Sequence, residues 1–167
     1  MAETIKQYKQ RILSYTSGKK PLAVQRATPG RLASLLRGRS RKQLSRKPAP
    51  KKWSVTEILA HLSETEIVVG WRLRMMLSRS GSPIQAYDQD RWAASGKYAR
   101  RDPRHSLELF RAVREANLRL LKALSAKQWK QYGMHAERGR ESIADTARMI
   151  AGHDLNHLLQ IRRILTK

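Results

Sequence analysis

The sequence predicts an all-α protein built as a four-helix bundle. Apolar residues recur at helical spacing over several long stretches. Alternating β-branched and aromatic runs, the mark of strands, are absent. Helix-start signals also stand at the heads of the periodic stretches, as in Ser54-Val55-Thr56-Glu57. At 167 residues the chain can bury a core without metal or disulfide staples. We read 1–167 as a single domain carrying a strongly basic segment at 18–52.

The first helix is expected over Thr4 to Tyr15, with Ile5, Tyr8, Ile12 and Tyr15 along one side. Ser17-Gly18 ends it, and KKPLAVQRATPG reads as a basic connector. A short helical piece, Arg31 to Leu36, leads into Arg37 to Lys52, where Pro48 and Pro50 stop any helix. The capping box at Ser54 opens a helix reaching about Leu77. Its stripe is Val55, Ile58, Leu59, Leu62, Val69, Leu73 and Met76, broken by Glu66, which suits an ion pair with Arg72 or another Arg. Ser78 to Arg104 is too long for an idle loop and should pack over something. Asp102-Pro103 opens the next helix, whose face is Phe110, Val113, Leu120, Leu121 and Leu124 with Asn117 in the middle. Ser142 caps the last helix, whose stripe is Ile143, Ala147, Ile150, Leu158, Ile161 and Leu165.

Charge and composition narrow the function classes. There are 35 basic and 13 acidic residues, a net charge of +22, and no Cys. Thiolate nucleophiles, thiolate–zinc sites, iron–sulfur clusters and disulfide frameworks are therefore excluded. No run approaches the length of a membrane span, and MAETIKQYKQ lacks the apolar stretch of a secretory signal. The expectation is a cytoplasmic protein. Residues 1–56 hold fifteen Lys or Arg against one acid, and Arg37 to Lys52 holds eight with no acid. Such a run attracts phosphate, on nucleic acid or elsewhere. However, Trp53 is the one aromatic residue between Tyr15 and Trp71, so the interleaved stacking of a single-strand binder is missing.

Without Cys, any metal must be held by His and carboxylate. His153 and His157 lie one turn apart on the last helix, about 40° apart around its axis, so both rings can reach one ion. The same spacing also suits two half-buried histidines with ordinary hydrogen bonds. His61 occupies the matching shoulder of the second helix, the one opened by Ser54, and would join them if those helices are neighbours. The Glu that a zinc-protease helix uses as base is absent, position 154 being Asp. Asp154 falls near the centre of the apolar stripe and needs a partner. It can orient a ligand imidazole, or bond the Trp53 indole or the start of the second helix. Gln160 can orient His157 or lie on the surface, and Asn117 can be a structural lock or a pocket group. Glu57 reads as a cap rather than a base, and His105 and His135 as surface residues.

Three segments together resemble the DinB-like (DinB/YfiT-like) superfamily: Lys52-Trp53-Ser54-Val55-Thr56-Glu57-Ile58-Leu59-Ala60-His61-Leu62, Tyr87-Asp88-Gln89-Asp90-Arg91-Trp92-Ala93, and His153-Asp154-Leu155-Asn156-His157-Leu158-Leu159-Gln160-Ile161. They occur in the family's order, and the resemblance spans roughly Thr28 to Leu165. It implies an up-down-down-up bundle, often a homodimer, with a divalent ion, usually zinc or nickel, held by His61, His153 and His157. It further implies a metal-dependent transferase or hydrolase acting on a small molecule, with a low-molecular-weight thiol as a candidate cosubstrate that this chain must take from outside. The Tyr87–Trp92 segment would line the mouth of the site, and the abundant Arg favours an anionic substrate. No catalytic base is identified. The alternative is a non-catalytic helical module that binds nucleic acid or another polyanion through its basic N-terminal third, and a third reading is a dimeric scaffold that has lost activity.

Overall fold

A computed structural model describes residues 3–166. Helix α1 (Ile5–Ser14) is followed by α2 (Pro21–Leu36), α3 (Arg41–Ser45) and the long α4 (Val55–Ser78). Then come strand β1 (Ser82–Ile84), α5 (Gln89–Ser95), a 3-10 turn (Tyr98–Arg100) and α6 (Pro103–Lys122). Helix α7 (Ala126–Trp129), the hairpin β2 (Tyr132–His135) and β3 (Gly139–Ser142), and α8 (Ile143–Leu165) complete the order. Reciprocal capping boxes start five of the helices, including Ser54–Glu57 on α4 and Ser142–Asp145 on α8.

The bundle consists of α2, α4, α6 and α8 in up-down-down-up order. Helix α4 packs along α6 and α2 along α8, while the lighter α2–α6 and α4–α8 contacts close the ring. The long α4–α6 connection spans the bundle, which lets these chain neighbours run the same way. Two apolar clusters fill the interior. One gathers Leu32, Ile58, Phe110 and Ile161, and the other Leu73, Met76, Ile84, Leu121 and Ile143.

Three expectations need correction. First, α1 is not one of the four bundle helices: it lies on the outside of α8, and Ile5 is exposed. That seat needs Gly152, where a Cβ would stand 2.2 Å from the Ile12 carbonyl oxygen. Second, the stretch read as a connector is helical from Pro21, and the helix runs through Pro29. Proline has no N–H to give the carbonyl one turn back, that of Gln25. Arg114 Nη1 supplies the missing donor to Gln25 O at 3.1 Å. The basic segment is thus largely folded into α2 and α3.

Third, a small sheet exists. It has the order β1-β2-β3, with β1 parallel to β2 and β2 antiparallel to β3. Strands this short carry no legible alternation. His135, expected on the surface, is buried on β2, where its Nδ1 accepts the Glu137 N–H at 3.2 Å.

Arg114 lies between the two apolar clusters and is almost completely buried. Its guanidinium bonds Asp154 on α8 (2.5 and 3.0 Å) and Glu66 on α4 (2.8 Å), as well as Gln25 O on α2. One side chain of α6 therefore touches all three other helices of the bundle. Asn117 completes this layer, donating to the Glu66 carbonyl oxygen and carboxylate at 3.0 and 2.8 Å. Gly70 leaves room for it, since a Cβ there would sit 2.5 Å from Asn117 Oδ1.

Candidate metal centre

The lighter α4–α8 contact brings three imidazoles together. His61 comes from the second turn of α4, held by the Ser54 cap, and His153 and His157 from successive turns of α8. His61 Nε2 lies 3.0 Å from His153 Nε2, which lies 3.1 Å from His157 Nε2. All three donor atoms fall within 4.8 Å of one another. Two nitrogens each about 2.1 Å from a shared ion at 90–109° stand about 3.0–3.4 Å apart. The two Nε2–Nε2 distances through His153 match that spacing, and the third pair lies within 4.8 Å.

Electrostatics agree with the geometry. Burial, with the neighbouring His157, pushes His61 down to about 3, and burial pushes His157 down to about 4. His153 is also lowered well below its usual value, by burial and then by the other two rings. The cluster is neutral at pH 7, the state in which an imidazole nitrogen offers a lone pair. Gln160 Oε1 lies 2.9 Å from His157 Nδ1. A neutral ring that donates there keeps its proton on Nδ1 and leaves Nε2 free as a ligand atom. Trp53 packs on His61 with ring centroids 4.9 Å apart and limits how that ring can turn.

His61 and His153 open onto a cavity of about 410 Å³. Thr65 Oγ1 is 3.5 Å from His61 Nε2 and 3.1 Å from the Tyr87 hydroxyl. Of the segment after β1, Tyr87, Asp88 and Gln89 line the cavity, while Trp92 does not line it but packs at a tilt against Tyr87 with centroids 4.6 Å apart. Arg72, Arg138 and Tyr8 line the cavity further out.

Of the residues weighed in sequence, His61, His153, His157 and Gln160 come together. Asp154 does not join them. It is spoken for by Arg114, not by an imidazole, the Trp53 indole or the start of α4, and burial holds its carboxyl above the ordinary range. Asn117 likewise belongs to the Arg114 layer. Glu57 is a cap, bonded to Ser54 and paired with Lys47, and Glu66 pairs with Arg114 rather than Arg72. His105 is exposed, as expected. Sequence reasoning missed Arg114 and Thr65, and weighed Arg72 only as an ion-pair partner for Glu66. Arg114 could have been found as the charge on the Phe110–Asn117–Leu121 face.

The fold and the site define a helix-bundle protein with a trihistidine cluster suited to a divalent ion. Residues 26–161 match the DinB superfamily, and the chain belongs to it. It is 22% identical over 136 residues to a protein of Oceanobacillus iheyensis, covering 81% of this chain and 78% of that one. It is 24% identical over 139 residues to one of Halalkalibacterium halodurans, covering 83% and 81%. Each bears the name "Putative metal-dependent hydrolase". Its structure is similar to that of YfiT from Bacillus subtilis, with a TM-score of 0.81 and 18% identity over 98% of this chain and 88% of that one. YfiT is described as a probable metal-dependent hydrolase with an unusual four-helix bundle topology.

Proposed function

We propose that this protein is a metal-dependent hydrolase or transferase of small molecules, with His61, His153 and His157 holding one divalent ion, zinc or nickel. The convergence of three neutral Nε2 atoms, two from buried rings and one from the half-buried His153, beside a cavity carries this reading. The names borne by the relatives agree with it. A bound ion supplies Lewis acidity, lowering the pKa of water or a thiol brought to it. Three protein ligands leave coordination positions open for that molecule, unlike a closed structural site.

The chain's own groups do the positioning. Gln160 fixes the proton of His157, Trp53 limits rotation of His61, and the Thr65–Tyr87 hydroxyl pair presents a hydrogen-bonding edge beside His61. The chain has no Cys, so a thiol cosubstrate would enter from solution. Elemental analysis of untagged protein tests the assignment. Wild type should carry close to one zinc or nickel ion per chain, and His153→Ala should lose it while keeping its helical circular dichroism. Equal metal content in the two would overturn the site.

A further inference from the structure

Arg72 lies on α4 with His61 and Thr65, and all three side chains line the same cavity. Eleven residues at 1.5 Å each put about 16 Å between the His61 and Arg72 Cα atoms. A long helical side chain leans back toward the N-terminus, which shortens the gap between functional groups to on the order of 10 Å.

The electrostatics of Arg72 are incomplete. The residue is only 9% exposed. Its Nη2 donates to the Gln85 carbonyl oxygen at 2.5 Å, and its Cζ stands 5.8 Å from the Tyr87 ring centroid. Among the described residues, no carboxylate lies within ion-pair distance of it. Most other buried or half-buried arginines differ: Arg114 has Glu66 and Asp154, Arg101 has Glu64, Arg138 has Glu141 and Arg11 has Glu3. Arg39, half-buried and away from the cavity, shares the lack of an ion pair among the described residues. Arg138 turns a second positive charge toward Arg72, while Glu141, already paired with Arg138, and Glu137 act on it only from beyond ion-pair distance. The acids around the cavity are at its rim. Glu3 is held by Arg11 and Asp88 by Arg91, while Glu137 is exposed. A buried cation without a direct ion pair is costly, and proteins pair such groups or hold them for a ligand.

We propose that Arg72 anchors an anionic end, carboxylate or phosphate, of the substrate whose reacting group lies at the histidine cluster on the order of 10 Å away. The substrate class is therefore an elongated small molecule with a terminal anion. A planar guanidinium with free N–H groups suits two-point binding of either anion. The inference rests on the trihistidine reading for the reacting end, but the anion site itself has an independent readout.

The experiment is NMR on full-length protein labelled with 15N-arginine, metal-free and zinc-loaded, titrated with inorganic phosphate or with glutarate. The Arg72 Nε–Hε resonance, identified by its loss in Arg72→Gln, should shift saturably with at least one anion. Whichever of the two binds tells a phosphoryl end from a carboxylate end. Anion affinity read by calorimetry should fall at least about tenfold in Arg72→Gln and hold in the exposed control Arg79→Gln. Arg72→Lys, which keeps the charge at the buried position, should retain part of it. No saturable shift with either anion, or equal affinity in wild type and Arg72→Gln, overturns the proposal. Zinc content should be unchanged in Arg72→Gln. If wild type binds no zinc but Arg72 still titrates, the metal reading falls and the anion site stands; zinc binding with a silent Arg72 means the reverse.

Discussion

Replacing Arg114 by Met tests the energetics of the bundle centre. The change removes the one cation paired with Glu66 and Asp154 among the described residues, and breaking a buried pair from one side costs about 3–5 kcal/mol. It also orphans the Gln25 carbonyl oxygen, which adds about 1–3 kcal/mol. Pro29→Ala restores an N–H to that carbonyl. The rescue should therefore be larger in the Arg114→Met background than in wild type, where Arg114 already serves Gln25. The gain in helix propensity is common to both backgrounds and cancels. A double-mutant cycle by urea denaturation, followed by helical circular dichroism, should give a coupling of about 1–2 kcal/mol. Arg114→Lys, which keeps a cation without the fork, provides a milder arm. Coupling within about 0.5 kcal/mol of zero would refute the claim that Arg114 replaces the proline's missing donor.

Zinc at a thousand times its dissociation constant should stabilise wild type by about 4 kcal/mol, a rise in Tm of about 8–16 °C at this chain length. Differential scanning calorimetry should show no such rise for His153→Ala. Gln160→Leu should weaken zinc binding about 10–100-fold with an unchanged circular dichroism spectrum, as read by competition with a chelating dye. Burial, with Arg138 and Arg72 nearby, pushes His135 down to about 4 from an ordinary 6.5. Between those values the unfolded chain takes up a proton that the folded one refuses, so stability falls as pH drops, by up to about 1.4 kcal/mol per unit. His135→Asn, whose Oδ1 can replace Nδ1 as acceptor for Glu137, should remove that part of the slope between pH 6.5 and 4 in urea melts.

The long helices were legible because α4, α6 and α8 combine clear start signals with sustained apolar faces. The histidine pair on α8 was legible from spacing, and its meeting with His61 from the family resemblance. The first bundle helix was not. Pro29 looks like a break until Arg114, 85 positions downstream, supplies the donor it lacks. The strands were missed because three or four residues give no period to read, and His135 was misplaced with them. Asp154 was seen to need a partner, but which of many arginines would reach it is a property of the packing.

The two best-packed helix pairs are α4 with α6 and α2 with α8, and the three histidines straddle them, one on the first pair and two on the second. An ion held there would act as a rivet across the seam between two halves of the molecule. Neither half alone carries the complete ligand set, so loading would follow docking of the halves rather than template it. Metal capture would then report that the whole bundle has assembled, and would slow its seam from opening thereafter.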